Sequence, residues 1–404
     1  MAALPLREVE VTPGLAGMAE VRAALAARLD GDGPAFALVP APSRHISADY
    51  ARMVRDAVRP GLPLEDDDTA LVAATSGSTG APRGVIITRA NLHAAVEASW
   101  AHVPGLRECA WVLALPVTSI GGFGAVVRAQ LAGTPLHTLP TIGGAGPFRA
   151  EDLLDLDVRE PFAISLVPTQ ITDILASPVA TAWLARATTV LVGAAATPDE
   201  LAVRARGAGI ALVTTYGMTE TTGGCAYDGV PLPGVRIELA DDARISVIGA
   251  QVAAGYRGLP SETADSFGGS GTQRTFRTAD HGQLRDGRLV ITGRTDDVVT
   301  VNGVNVALGT VEEIVRSEFG VREAAVVAVP DERAGHRLIA YVVMTDRADL
   351  SSIAPLVVER LGGTARPEVI EVPELPHLPN GKIDRLALRG AAEVSAKGPH
   401  GNGS

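Results

Sequence analysis

Short runs of apolar residues alternate with segments of helical apolar spacing through the first half of the chain. Buried strands separated by helices are typical of a parallel sheet whose two faces are covered. The pattern therefore predicts an α/β fold in which ligands bind beyond the carboxyl ends of the strands. The predicted strands lie at 36–39, 70–74, 111–115, 163–167, 189–192 and 210–214, and the predicted helices at 19–29, 47–58, 169–176 and 198–207. Residues 86–99 are predicted to form the end of a short strand and then a helix.

The pattern changes to short strands after residue 235, which predicts a β-rich subdomain. Asp286-Gly287 is a strong hairpin signal between two of these strands. Residues 262–273 are rich in Gly, Ser and Thr, and we expect them to form a mobile loop. The strands are predicted at 235–239, 244–248, 275–277, 283–284 and 288–292.

A compact unit of two helices and two strands is predicted after Asp296, with helices at 309–319 and 351–361. We therefore expect a large N-terminal domain over 1–295 and a small, mobile α+β domain over 296–390. The small polar residues of 391–404 predict a disordered tail.

Composition excludes several classes of protein. The 404 residues are 46% hydrophobic and 20% charged, as in a globular chain, and the net charge of −11 argues against nucleic-acid binding. No apolar run is long enough to span a bilayer, and we expect no signal peptide. Cys109 and Cys225 form neither a metal spacing nor a disulfide framework, which favours a cytoplasmic chain. The sequence leaves open whether the chain is a homodimer.

A loop rich in glycine and hydroxyl groups follows the strand at 70–74. Glycines let the backbone approach a ligand closely, and hydroxyls and free N–H groups suit phosphate oxygens. The spacing does not fit a Walker A motif. A flexible surface loop is the alternative, but a strand leads directly into it and a Pro-Arg pair interrupts its composition. The candidate phosphate-binding residues are Thr75, Ser76, Gly77, Ser78, Thr79, Gly80 and Arg83.

The segment 215–220 follows the strand at 210–214 and so lies at the ligand edge of the sheet. Tyr216 could stack on a base, Thr219 could bind phosphate, and Glu220 could hold Mg²⁺, which prefers oxygen ligands. The alternative is a strand-to-helix turn with a capping threonine and a solvated glutamate.

Three further positions carry candidate chemistry. Small residues at Gly193, Ala194 and Ala195 leave space for a flat ring, although close strand packing explains them equally well. Asp280 could accept hydrogen bonds from ribose hydroxyls, or could form a turn. Arg294 could bind an anion, or could pair with a neighbouring aspartate at the surface.

These motifs, in this order, resemble the adenylate-forming superfamily of acyl-CoA synthetases, adenylation domains and luciferases. The resemblance extends from Thr75 to a Pro-x-Gly-Lys-x-x-Arg element at 379–385. It implies that Tyr216 contacts adenine, Glu220 the metal, and Lys382 the carboxylate and the α-phosphate. By the same resemblance, Asp296 is the pivot between the two domains.

The chain departs from the family pattern at four places. Arginine replaces lysine at Arg83, Ala279 replaces a glycine, and Thr300 replaces a lysine. A histidine that the family often carries is missing near Thr118 and Ser119, where only hydroxyls are present.

The resemblance implies a ligase that uses ATP, Mg²⁺ and coenzyme A to convert a small carboxylic acid to an acyl-adenylate and then to a thioester. Within the superfamily the chain is most similar to the o-succinylbenzoate–CoA ligases of menaquinone biosynthesis, through the segments 165–170 and 216–225. The expected acyl-binding residues are Ser165, Val167, Thr169, Gly193, Gly217 and Thr222.

Two alternatives remain at this stage. The chain could adenylate another aryl or fatty acid, or load a carrier protein instead of coenzyme A. It could also be a nucleotide-binding protein without catalytic activity, although the retained Glu220 and Lys382 argue against this.

Overall fold

The N-terminal region forms a five-stranded sheet with flanking helices in the computed structural model, which describes residues 6–75, 82–142, 146–331, 333–345, 349–378 and 383–396. Strands β1, β2 and β3 are parallel, whereas β3 and β4 are antiparallel, with Ala74 opposite Gly84. The glycine-rich loop therefore joins two antiparallel strands. The elements are β1 (Arg7–Val11), α1 (Leu15–Leu29), β2 (Phe36–Pro40), α2 (Ala48–Val58), β3 (Thr69–Ala74), β4 (Gly84–Thr88) and α3 (Arg89–His102).

A seven-stranded sheet follows, in the order β11-β10-β9-β8-β7-β5-β6. The strands from β9 to β6 are parallel, which confirms the predicted parallel sheet, and β10 and β11 extend it in antiparallel fashion. The elements are β5 (Ala110–Leu113), α4 (Ile120–Ala132), β6 (Leu136–Thr138), β7 (Phe162–Leu166), α5 (Pro168–Ala176), α6 (Pro178–Leu184), β8 (Thr189–Val192), α7 (Asp199–Gly207), β9 (Leu212–Met218), β10 (Gly223–Tyr227) and β11 (Val230–Pro231).

The predicted β-rich subdomain is antiparallel, and its strand β14 crosses to the first sheet and pairs with β4. The strands predicted at 275–277 and 283–284 form one strand, β16, with a register shift between His281 and Gly282. The elements are β12 (Arg236–Leu239), β13 (Arg244–Ile248), β14 (Gly255–Tyr256), α8 (Pro260–Ser266), β15 (Phe267–Gly268), β16 (Thr275–Arg285) and β17 (Arg288–Arg294).

The prediction of a loop over 262–273 is wrong for its first half, which contains most of α8 and all of β15. Phe267 explains the difference, because its ring packs 5.1 Å from that of Tyr256 and 4.8 Å from that of Phe276. Aromatic burial of this kind offsets the entropy lost by ordering a Gly- and Ser-rich segment.

The C-terminal region contains a three-stranded sheet, β20-β21-β22, with an apolar cluster on each face. The two predicted helices and two predicted strands are present, and the hairpin β18–β19, strand β22 and helix α11 are additional. Because α11 buries Ala392, the chain is helical through 396, beyond the predicted start of a disordered tail. The elements are β18 (Val298–Val301), β19 (Val304–Ala307), α9 (Leu308–Arg316), β20 (Val321–Asp331), β21 (Gly335–Met344), α10 (Leu350–Leu361), β22 (Glu368–Glu371) and α11 (Arg385–Ala396).

Among the residues that the structure describes, no helix is both long and apolar enough to cross a bilayer.

Candidate active site

A cleft of about 440 Å³ opens at the carboxyl ends of the parallel strands β7, β8 and β9. The ends of β3 and β4, the start of α4, and residues of β16 and β17 complete its walls. Sequence-predicted residues therefore converge here from five different motifs. Those that line the cleft are Thr75, Arg83, Ser165, Val167, Gly193, Ala194, Gly217, Thr219, Glu220, Thr222 and Arg294.

Two hydrogen bonds close the base of the glycine-rich loop. The backbone N–H of Thr75 donates to the Arg83 carbonyl at 2.8 Å, and the backbone N–H of Arg83 donates to the Thr75 hydroxyl at 3.0 Å. The ends of the loop are thus fixed at the cleft. Its intervening candidates, Ser76, Gly77, Ser78, Thr79 and Gly80, lie outside the described residues.

Tyr216, Asp280 and Arg294 form a hydrogen-bonded group at one edge of the cleft. The Tyr216 hydroxyl donates to Oδ2 of Asp280 at 2.7 Å, and Arg294 Nη1 donates to Oδ1 at 2.6 Å. Asp280 is buried, with 5% of the residue exposed. Burial and the Asp280 charge raise the pKa of Tyr216 well above its usual range, so the phenol keeps its proton and remains a donor.

Glu220 is buried, and Tyr256 holds its carboxylate in place. The Tyr256 hydroxyl donates to Oε1 of Glu220 at 2.9 Å, and no described residue donates a hydrogen bond to Oε2. The described residues contain no group of three or more His, Cys, Asp or Glu side chains that could hold a metal. A single carboxylate with one open oxygen fits Mg²⁺, which usually takes one or two carboxylates and completes its shell with water and phosphate oxygens.

The small residues of the site have a packing role. A Cβ atom on Gly193 would lie 2.2 Å from the Thr215 hydroxyl, and one on Gly217 would lie 2.0 Å from the Gly223 carbonyl oxygen. Close contacts between strands therefore require both glycines. For Gly193, this is the packing explanation that the sequence offered as the alternative to space for a flat ring. Ala195 is exposed and is not part of the cleft wall.

The cleft wall also contains a buried arginine that the sequence analysis missed. Arg128 lies on α4 and is 8% exposed. It donates to the Ser99 hydroxyl at 3.0 Å and to the Tyr227 hydroxyl at 3.3 Å, and its guanidinium lies 5.2 Å from the centroid of the Trp111 ring. No carboxylate of the described residues forms an ion pair with it. A lone arginine within the apolar stretch 120–132 was the available signal.

The hydroxyl residues near the position of the missing histidine also line the cleft. Ser119 caps α4, accepting from the Gly122 N–H at 3.2 Å and donating to the Pro116 carbonyl at 2.7 Å, so its hydroxyl is already occupied. Thr118 makes no hydrogen bond with another described residue. Thr169, predicted to bind the acyl group, is exposed and does not line the cleft.

The C-terminal region approaches the cleft through the segment around 384. Burial raises the pKa of Tyr50, a cleft residue, and the nearby Asp384 carboxylate raises it further. Lys382 itself lies outside the described residues, as does the side chain of Asp296, which sits in the single turn Thr295–Asp297 between β17 and β18.

Comparisons with known proteins agree with this geometry. The profile of AMP-binding enzymes matches residues 16–257, and that of the AMP-binding enzyme C-terminal domain matches residues 310–382. The chain is 36% identical over 367 residues to a protein of Mycobacterium tuberculosis named probable 2-succinylbenzoate–CoA ligase, a match that covers 89% of this chain and 92% of the relative. It is 31% identical over 362 residues to the sulfoacetate–CoA ligase of Cupriavidus necator, with 82% of this chain and 69% of that one covered.

The fold is similar to that of o-succinylbenzoate CoA synthetase from Bacillus subtilis, solved in complex with the acyl-adenylate intermediate OSB-AMP. The TM-score is 0.72 at 21% identity, and the match covers 96% of this chain and 89% of that one. The family resemblance and the predicted α/β fold class, with a large N-terminal and a small C-terminal region, are thereby confirmed.

Proposed function

The chain belongs to the family of AMP-binding enzymes, and on that premise we propose that it is an acid–CoA ligase acting on 2-succinylbenzoate in menaquinone biosynthesis. Its substrates are then the acid, ATP and coenzyme A. The observation that carries the choice of acid is the buried guanidinium of Arg128 in the cleft wall, which forms no ion pair with a carboxylate of the described residues.

A buried cation without an anionic partner is costly, because its desolvation is not offset by a nearby opposite charge. The Arg128 hydrogen bonds to Ser99 and Tyr227 satisfy part of its donor capacity and leave its charge unneutralised. An anionic group on the substrate would supply the missing charge. Arginine is suited to this role, since its planar fork can bind a carboxylate through two hydrogen bonds.

The reacting carboxylate must face ATP, so an anion at Arg128 has to be a second acidic group on the same substrate. 2-Succinylbenzoate carries two carboxylates, and sulfoacetate carries a carboxylate and a sulfonate. These are the acids in the names of two relatives, and each has a second anionic group. This chemistry supports a diacid as the substrate and argues against a fatty acid.

In the first half-reaction, a carboxylate oxygen of the acid attacks the α-phosphorus of ATP. The bond from that phosphorus to the bridging oxygen breaks, and pyrophosphate leaves with the electron pair. The segment 75–83 with Arg83 would hold the β- and γ-phosphates, and Thr219 the α-phosphate. Asp280 would accept hydrogen bonds from the ribose, while Tyr216 and the backbone of Gly193 and Ala194 would border the adenine.

Glu220 would hold Mg²⁺ through its open Oε2. When bound, the ion would neutralise phosphate charge during pyrophosphate release. Glu220 is suited to binding the metal because the Tyr256 hydroxyl already fixes its other oxygen, Oε1.

Lys382 would place a cation between the two anions that must approach each other, where it stabilises the charge of the transition state. Lys382 and Lys397 are the two lysines of the chain, whose cationic residues number 35. A chain that uses arginine almost everywhere else retains a lysine at the position that the family motif requires. That retention supports a role specific to the compact ammonium group.

In the second half-reaction, the thiolate of coenzyme A attacks the acyl carbon, and the bond to AMP breaks. We propose that the domain of 296–390 rotates about Asp296 between the two steps, so that Lys382 leaves the site. Both halves then depend on positioning and electrostatics, and neither needs a protein nucleophile.

The test is to incubate the purified enzyme with ATP, Mg²⁺ and coenzyme A and to detect thioesters by mass spectrometry. The acids would be 2-succinylbenzoate, 3-benzoylpropanoate (the same chain without the ring carboxylate), sulfoacetate, benzoate and a fatty acid. We expect 2-succinylbenzoate to be preferred. Preference for the fatty acid, or for 3-benzoylpropanoate, would contradict the proposed substrate.

The same assay separates coenzyme A from a carrier protein as the acceptor. Acid-dependent pyrophosphate exchange without a coenzyme A thioester would favour the carrier-protein alternative. Absence of exchange with every acid would favour a nucleotide-binding protein without catalytic activity.

A further inference from the structure

Tyr256 lies between the end of the glycine-rich loop and the segment that carries Glu220. It lies on β14, where it pairs with Val85 of β4, two residues after Arg83. The neighbouring N–H of Arg257 donates to the Gly84 carbonyl at 2.7 Å. Backbone hydrogen bonds therefore fix the C-terminal end of the loop to the strand that carries Tyr256.

The Tyr256 side chain contacts two groups of opposite charge. The Arg83 guanidinium lies over its ring, 4.2 Å from the centroid, and its hydroxyl donates to Glu220 Oε1 at 2.9 Å. The Phe267 ring packs against Tyr256 edge-to-face, and only 3% of the tyrosine is exposed. The phenol ring is thus fixed in position, with a cation on its face and a carboxylate at its hydroxyl end.

Arg83 and Glu220 would otherwise attract each other. Both line the same cleft, yet they form no salt bridge in the described part of the chain, and the tyrosine lies between them. An ion pair between them would neutralise the arginine and occupy the open oxygen of the glutamate. Arginine suits the stacked position better than lysine, because a planar guanidinium can lie flat on an aromatic face.

We propose that Tyr256 is a positioning residue that holds Arg83 and Glu220 apart, so that the arginine is available to the triphosphate of ATP and the glutamate to Mg²⁺. This inference rests on the proposed function only in that ATP and Mg²⁺ are the ligands. It concerns nucleotide binding and is independent of which acid is used.

Two substitutions separate the roles of the ring and of the hydroxyl. Tyr256→Phe keeps the ring and removes the hydrogen bond to Glu220. Tyr256→Leu removes both and allows Arg83 to reach Glu220. Glu220→Gln then removes the carboxylate that would capture Arg83.

The measurement is the equilibrium affinity for ATP by titration calorimetry, with excess chelator and over a series of Mg²⁺ concentrations. We expect Tyr256→Leu to weaken metal-free ATP binding about tenfold, the loss expected for one charge-assisted contact. Adding Glu220→Gln to Tyr256→Leu should restore most of that loss. Tyr256→Phe should leave metal-free binding unchanged and raise the Mg²⁺ concentration needed for half-maximal ATP binding about tenfold.

Rescue by Glu220→Gln distinguishes positioning from general damage, because a second substitution cannot repair a disrupted fold in this way. AMP affinity should stay unchanged in every variant, since AMP lacks the β- and γ-phosphates. Tyr341→Phe is a matched control: this buried tyrosine donates to the Leu388 carbonyl in the C-terminal region, and its loss should leave nucleotide binding unaltered.

Failure of Glu220→Gln to rescue Tyr256→Leu, or wild-type metal-free binding in Tyr256→Leu, would overturn the proposal. If Tyr256→Leu does not fold, Tyr256→Phe still decides the role of the hydroxyl, and an unchanged Mg²⁺ requirement would refute it. A wild-type enzyme that binds ATP and Mg²⁺ but forms no acyl thioester would overturn the proposed function alone. Absence of nucleotide binding in the wild type would overturn both.

Discussion

The Tyr216 hydroxyl donates a 2.7 Å hydrogen bond to the Asp280 carboxylate, across 64 positions of the chain. Tyr216 lies at the end of the parallel sheet on β9, and Asp280 lies within the antiparallel strand β16. One hydrogen bond therefore joins two sheets at the edge of the cleft. Arg294 holds the other oxygen of the same carboxylate at 2.6 Å.

Asp280→Ala should weaken the binding of both ATP and AMP by about tenfold or more, because the ribose would lose a charged acceptor. The substitution should also remove the preference for ATP over 2′-deoxy-ATP. Titration calorimetry with the three nucleotides measures both effects. Tyr216→Phe is the control, since it keeps the carboxylate and should keep the ribose preference. An Asp280→Ala variant with wild-type discrimination between the two triphosphates would show that Asp280 does not contact the ribose.

Arg128→Met should lower kcat/KM for 2-succinylbenzoate by about 10²-fold, because a buried charge-assisted contact to the second carboxylate is lost. Activity toward 3-benzoylpropanoate, which lacks that carboxylate, should change little. Initial rates of thioester formation with each acid give the comparison. Arg204→Met, at an exposed position on α7, serves as the control for removal of a positive charge. Equal losses with both acids would assign Arg128 a role in packing instead of substrate choice.

Lys382→Ala should reduce adenylation by roughly 10²-fold or more, as loss of a transition-state contact typically does. Thioester formation from supplied acyl-adenylate should be nearly unaffected, because Lys382 has left the site in that step. Acid-dependent pyrophosphate exchange and single-turnover thioester formation measure the two halves separately. Lys397→Ala removes the other lysine of the chain and should alter neither rate. If Lys382→Ala slowed both halves equally, the proposed domain rotation would be wrong.

Gly217→Ala should destabilise the protein by about 2–3 kcal/mol, because the added methyl group overlaps the Gly223 carbonyl oxygen and forces β9 and β10 apart. Thermal unfolding followed by circular dichroism measures the change. Gly309→Ala makes the same chemical change on helix α9, where the new methyl group meets open space, and it should leave Tm unchanged or raise it. Similar Tm values for both variants would mean that β9 and β10 can separate without lowering the free energy of unfolding.

Local sequence patterns were sufficient to predict the elements that have a clear apolar periodicity of their own. The apolar run at 70–74 corresponds to β3, and the helical spacing at 309–319 corresponds to α9. Elements that depend on distant partners were missed. The strand β15 forms because Phe267 packs on Tyr256 and Phe276, and α11 forms because Ala392 and Leu388 are buried against the C-terminal sheet.

The sequence by itself determined the family, because residues that bind one ligand recur as short motifs with recognisable composition. The order of the loop at 75–83, the Tyr216–Glu220 segment and Lys382 required no coordinates to interpret. Only the tertiary structure assigned a role to Arg128 and Tyr256, because an arginine among apolar neighbours or a single tyrosine does not show what its side chain contacts. Their significance comes from burial and from contacts with residues distant in the chain. Arg128 is an unneutralised cation in the wall of the cleft, and the Tyr256 ring lies between two opposite charges.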